Sequence, residues 1–305
     1  MATQPCFLVI GAPRMSLTLP CDAMPSAGET VFLSKEPTSE PGDRATAAAI
    51  ALTHLGARAL FCGTVGDDTS GRSIRDRLID EGVDIRFLRP MPEGATAIRC
   101  VVREGGQSRG YLWDGVSRRT DRELIDEAFS ALPDALCLFS DLPPSVMAHA
   151  IARAAQAHIP VFMDACGGEQ NLQDLPKVTA FVANADECEC LTGERPGTAD
   201  QCLRTMLALP RHVKADHFIL KLGERGCFFL DGRLPRYLAA CGTHPNGGTG
   251  AGTVFFAALS LLWLQSGGNL LLSCKYANAA AAAALERPGL YLPTQREITA
   301  FLQQN

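Results

Sequence analysis

Short apolar runs alternate with alanine-rich or amphipathic stretches along most of the chain, and this alternation predicts the fold. Phe7-Leu-Val-Ile10, closed by Gly11, is apolar at every position, the pattern of a strand covered on both faces. Ala45 to Leu55 predicts an alanine-rich helix, and Arg58-Ala-Leu-Phe-Cys62 a second strand. Gly63 to Asp68 is expected to be a polar turn, and Ser70 to Glu81 an amphipathic helix stopped by Gly82. Strand, helix, strand and helix in that order predict a parallel sheet.

Two regions interrupt the rhythm. Residues 12–41 are rich in Pro, Ser and Thr, and within them Glu29-Thr-Val-Phe-Leu-Ser34 alternates as an exposed strand would. Ala95 to Glu104 and Gln107 to Trp113 are strand-like runs joined by Gly105-Gly106, a two-residue hairpin signal. These pieces, about 12–41 and 93–116, are expected to form a small β lid inserted in the α/β core. After Asp121 the alternation resumes. Helices are expected at 121–131, 144–157, 198–209 and 275–285, with a last short one after Pro293. Strands are expected at 135–139, 160–163, 179–183, 217–221 and 227–230. No repeat, low-complexity linker or charge block divides the chain, so residues 1–305 are expected to form one doubly wound domain.

Composition narrows the partners. The chain has 305 residues, 47% of them hydrophobic and 20% charged, with a net charge of −5. That balance offers no basic footprint for nucleic acid. The longest apolar run, Val254 to Leu264, is well short of the roughly 20 residues a bilayer span needs. The start, Met-Ala-Thr-Gln-Pro-Cys, lacks the basic region of an export signal, so a cytoplasmic protein is expected. The twelve cysteines are scattered, and only Cys188 and Cys190 lie close together. Reduced thiols acting as small hydrophobes are expected. His54, His149, His158, His212, His217 and His244 show no ligand spacing.

The candidate chemistry centres on Asn246-Gly-Gly-Thr-Gly-Ala-Gly-Thr253, which leads straight into the apolar run from Val254. Glycines cannot hold a helix, whereas the apolar run predicts a buried one. The junction is therefore a flexible loop feeding a helix N-terminus, where free N–H groups and the helix dipole favour an anion. Taken alone, a glycine loop of this kind is more often a plain loop before a core helix.

The order of motifs along nearly the whole chain resembles the ribokinase, or phosphofructokinase-B, family of sugar and nucleoside kinases. The N-terminal half carries Gly28-Glu-Thr-Val31, Leu55-Gly56, Val65-Gly-Asp-Asp68 with Gly71, and Gly82-Val-Asp84. The C-terminal half carries Asn184-x-x-Glu187, Leu191-Thr-Gly193, Gly223-x-x-Gly226, Gly250-Ala-Gly252 and Asn278. The resemblance implies a ribokinase-like α/β fold: a mostly parallel sheet flanked by helices, with a β lid. It implies a phosphotransferase that moves the γ-phosphoryl group of ATP, with Mg²⁺, to a sugar hydroxyl. By the same resemblance, the N–H groups of Gly250, Ala251 and Gly252 form an anion hole. Asn184 and Glu187 act near Mg²⁺ and the phosphates, Glu187 through water. Lys221, Gly223 and Gly226 line the nucleotide, and Asn278 lies near the adenine.

The departures concern the acceptor and the base. Thr253 stands where the family has its catalytic aspartate, and a threonine hydroxyl is no base near neutral pH. Gly247 stands where the same motif opens with an acid. Ser16 replaces a sugar-binding aspartate, Arg14 an asparagine, and Gly42-Asp-Arg-Ala-Thr-Ala47 a glycine-rich sugar loop ending in asparagine. Arg14 and Arg44, beside Asp43, are expected to bring positive charge to the acceptor pocket, which suits an acidic sugar; two solvated surface arginines are the plain alternative. Asp43 and Asp114 are the acids available as substitute bases. Two functions stay open: a sugar kinase with impaired chemistry, and a degenerate kinase fold that acts, without transfer, as a nucleotide- or metabolite-binding or interaction protein. A homodimer through the lid strands is a further expectation.

Overall fold

The computed structural model describes residues 4–104, 107–166, 172–232, 234–246 and 248–304. The expected hairpin turn Gly105-Gly106 and Gly247 lie outside the described residues. A nine-stranded sheet forms the centre. Its strands, in chain order, are β1 (Cys6–Ile10), β4 (Arg58–Gly66), β5 (Asp84–Met91), β8 (Ala135–Phe139), β9 (Val161–Asp164), β10 (Val178–Asn184), β11 (Ala215–Lys221), β12 (Cys227–Asp231) and β13 (Pro235–Leu238). Their spatial order is β13-β12-β11-β10-β9-β8-β1-β4-β5. All neighbours pair in parallel except β11–β12 and β12–β13.

The uninterrupted apolar strands are explained by helices on both faces. Phe7 and Val9 of β1 point into one core with α1 (Arg44–His54), α2 (Thr69–Asp80), α7 (Ala251–Gln265), α8 (Leu270–Leu285) and α9 (Gln295–Gln304). Leu8 and Ile10 enter the other, with α3 (Arg122–Phe129), α4 (Pro144–Gln156), α5 (Ala185–Thr192) and α6 (Ala199–Ala208). Helix α7 is apolar all round because it packs against α1, α8 and the sheet at once. Phe256 of α7 meets Phe139 of β8 edge-on, with ring centroids 5.3 Å apart. No helix among the described residues is long and apolar enough to cross a membrane.

A separate four-stranded sheet has the order β3-β2-β6-β7, from β2 (Arg14–Pro20), β3 (Thr38–Pro41), β6 (Ala97–Glu104) and β7 (Gln107–Trp113). Its β2–β6 pair is parallel and its other pairs antiparallel. The expected strand Glu29–Ser34 is not formed, and Phe32 is 98% exposed. Alternation alone predicted it, but among the described residues the one backbone bond tying that stretch to β2 is from Ser34 N–H to the Pro20 carbonyl, at 3.2 Å. The polar turn expected at Gly63–Asp68 is a second correction. β4 continues to Gly66, because Gly63 to Gly66 pair with Leu88 to Met91 of β5. A two-stranded ladder, β14 (Gly248–Thr249) with β15 (Gly289–Leu290), leads into α7.

Candidate functional site

The carboxyl ends of β9, β10 and β11 lie side by side, where ligands of open parallel sheets gather. In register, Asp164 pairs with Val182, and Asn184 with Lys221. The N-terminus of α7 faces this edge. Gly250 precedes it at φ 77°, in the left-handed region that favours glycine, and a Cβ there would also push the end of the Leu290 side chain aside. No side chain caps the helix. The N–H groups of Thr253 and Val254 return to the Gly250 carbonyl at 2.9 and 3.1 Å. Those of Ala251 and Gly252 have no partner among the described residues, which leaves two donors for an anion. The Lys221 ammonium lies 3.8 Å from the position a Cβ on Gly252 would take. Positive charge and free donors thus converge on one spot.

Ion pairs tie this spot together. Lys221 Nζ donates to Asp164 Oδ1 at 2.7 Å, and the Asp164 side chain is 1% exposed. Arg44, first residue of α1, donates to the Ala165 carbonyl at 2.6 Å and to Glu187, and lies 4.0 Å from Asp164. Asn184 and Glu187 form a reciprocal cap at the start of α5. Asn184 N–H donates to Glu187 Oε2 at 2.8 Å, and Glu187 N–H donates to Asn184 Oδ1 at 2.9 Å. Burial pushes the Asp164 carboxyl above its ordinary range, against the pull of Lys221 and Arg44. Burial works against the charge on Arg44, but Glu187 and Asp164 outweigh it and hold the guanidinium firmly protonated.

The acceptor side is a second buried network. Arg14 bonds Asp141 at 2.8 Å and Asp43 at 3.3 Å, all three being buried or nearly so. Asp141, just past β8, also accepts from Ala12 N–H at 3.3 Å. Asp43 precedes α1 and its N–H donates to Thr46 Oγ1 at 2.7 Å, and Gly42, at φ 106°, turns the chain into it. Ala47 is buried in α1, and Ser16 lies on β2 opposite Glu40 and Arg99. Both arginines expected to be free for an acidic acceptor therefore already face carboxylates, Arg14 two of them and Arg44 Glu187.

Thr253 is 7% exposed in the first turn of α7, directly after the anion spot. Neither expected substitute base lies free beside it. Asp43 is held by Arg14, and Asp114 bonds Arg118 at 3.0 Å after β7. Gly223 has φ 60° and nothing within 4 Å of an added Cβ, which leaves room for a ligand. Gly226 is different: an added Cβ would sit 2.2 Å from the Leu238 carbonyl, so packing alone requires glycine. Asn278 of α8 donates to the Ala239 carbonyl at 3.0 Å. Sequence reasoning missed Asp141 and Asp164. Each stands at or just after the end of a parallel strand, the one signal that could have found them.

The residues suit Mg²⁺ and a nucleotide. No group of three metal-ligating side chains occurs among the described residues. Mg²⁺ does not need one, since it keeps several waters and takes one or two carboxylates plus phosphate oxygens. Glu187 and Asp164, which both face Arg44, would supply carboxylates, and Ala251, Gly252 and Lys221 donors for phosphate.

Residues 7–297 match the pfkB family of carbohydrate kinases, and the chain belongs to that family. It is 24% identical over 299 residues to a ribokinase of Bacillus subtilis, covering 96% of this chain and 98% of that protein. It is 27% identical over 309 residues to an ATP-dependent ribose-1-phosphate kinase of Halopiger xanaduensis, covering 97% and 98%. The fold superposes on Arabidopsis thaliana ribokinase, solved with ribose and ATP, with a TM-score of 0.83, 21% identity and 99% of each chain covered. The Giardia lamblia ribokinase structure gives a TM-score of 0.87 at 16% identity, again over 99% of each chain.

Proposed function

We propose that this chain is a slow sugar kinase, which binds Mg·ATP and transfers its γ-phosphoryl group to a hydroxyl of a small sugar-like acceptor. The observation that carries the proposal is the uncapped N-terminus of α7, with the Lys221 ammonium beside Gly252. There the N–H groups of Ala251 and Gly252 hold phosphoryl oxygens, and Lys221 offsets the charge that gathers on them. Glu187 would hold Mg²⁺, which would supply positive charge to offset that of the phosphates. Asp43 and Asp141, fixed by Arg14, accept hydrogen bonds from acceptor hydroxyls. Because Arg14 is already paired, a neutral polyol fits this network better than a sugar acid.

Thr253 limits the rate, since nothing at that position takes the acceptor's proton. The same residue favours a second reading, a nucleotide-binding protein without transfer. Long incubation of the wild type with Mg·ATP and a panel of sugars, nucleosides and sugar acids, read by phosphorus NMR, separates the two. A sugar phosphate from a neutral polyol supports the kinase. Nucleotide binding with no phosphate ester from any acceptor supports the second reading.

The four-stranded sheet supports a homodimer. Ile98, Tyr111 and Trp113, at 41, 70 and 53% exposure, share one face of the β6–β7 pair. Light scattering is expected to give a dimer that Trp113→Glu converts to a monomer; a wild-type monomer at the same concentration would contradict it.

A further inference from the structure

Arg44 and Glu187 reach the site from opposite sides. Arg44 opens α1 directly after Asp43, which is paired with Arg14 in the acceptor network. Glu187 sits in the first turn of α5 and is 4% exposed. Each oxygen of the Glu187 carboxylate already has a donor. Oε1 meets the Arg44 guanidinium, and Oε2 takes the N–H of Asn184 at 2.8 Å. The guanidinium is held in place by the Ala165 carbonyl, at 2.6 Å. Each oxygen keeps a second acceptor site, but Arg44 neutralises the carboxylate and crowds Oε1, which makes it a weaker partner for a hydrated cation, while losing the arginine would leave it buried and charged.

We infer that Arg44 competes with Mg²⁺ for Glu187, so that the metal·nucleotide complex binds only by releasing Arg44 from that carboxylate. This rests on the nucleotide site proposed above. The contact spans the boundary between the two substrate sites, so the competition couples them. Whatever draws Arg44 towards the acceptor network frees Glu187 for metal, and bound metal presents Arg44 to the acceptor side. Linkage requires the two effects to be equal.

An arginine that instead binds the nucleotide phosphates directly would act with the opposite sign, and this makes the inference decidable. Mg·ADP is titrated calorimetrically into the wild type, Arg44→Met and Arg44→Lys, with metal-free ADP as a parallel series. Arg44→Met is expected to bind Mg·ADP about tenfold more tightly, as a partly buried ion pair no longer has to break. Arg44→Lys, which keeps the charge but loses the planar fork, is expected to show a smaller gain of the same sign. Adding Glu187→Gln to Arg44→Met should abolish the gain, and metal-free ADP should show none. Should Arg44→Met fail to fold, Arg44→Lys decides the sign alone. Weaker or unchanged Mg·ADP binding by the Arg44 variants, with the wild type binding normally, overturns the inference and leaves the nucleotide site standing. A wild type that binds no Mg·ADP overturns both.

Discussion

Thr253→Asp is expected to raise the turnover number by about 10²–10⁴, the usual contribution of a positioned general base, while nucleotide affinity changes little. The two side chains are close in size, so the buried position can take the exchange. A carboxylate in the first turn of α7 is favoured by the helix dipole, and that turn holds no acid now. Burial opposes the charge on the new carboxyl, while the helix dipole and the Lys221 ammonium beside Gly252 favour it. Steady-state transfer from Mg·ATP to the best neutral acceptor, measured for both proteins, gives the ratio. An equal rate in the two proteins, with acceptor and nucleotide both bound, would mean that another group takes the proton.

Arg14→Met is expected to cost about 3–5 kcal/mol of folding stability at neutral pH, because it strands a buried carboxylate. Arg14 is the only cation paired with Asp141 among the described residues, and the two side chains are 5% and 7% exposed. Burial already raises the Asp141 carboxyl above its ordinary value, with Arg14 pulling it down. The sign follows from linkage. A carboxyl whose folded pKa exceeds its unfolded one favours folding while protonated, and that advantage is lost as pH rises through the folded pKa. Without Arg14 the folded pKa climbs further. The gap between variant and wild type should therefore be widest at neutral pH and narrow towards pH about 4, near the unfolded value. Denaturant unfolding across that range reads it, and adding Asp141→Asn should restore much of the loss. A gap under about 1 kcal/mol, the worth of an exposed pair, or one that ignores pH would contradict the buried network.

The core elements were legible because their residues face only each other. A strand such as Phe7 to Ile10, apolar at every position, has few alternatives once helices of matching pattern flank it. The edges were less legible. Glu29 to Ser34 alternates like a strand, yet a strand exists only where a partner offers a ladder, and β2 is paired by β3 and β6 instead. Gly63 to Gly66 looked like a turn because two of its four residues are glycine, and β5 overrides that local preference. At the site, local geometry was legible and partnership was not. Gly250, and the capping box of Asn184 with Glu187, can be read from neighbouring residues in the chain. That Arg14 meets Asp141 and Lys221 meets Asp164 depends on strands brought together by the sheet, over separations no local pattern carries. The arginines therefore looked free in the sequence and are paired in the structure.

The most direct test of the account is a calorimetric titration of the wild type with Mg·ATP at neutral pH. A saturable isotherm with one nucleotide per chain, weakened in Lys221→Met, is the predicted result, since the phosphate donors persist although the base is absent. No binding by the wild type would contradict it and leave the chain a kinase in fold alone.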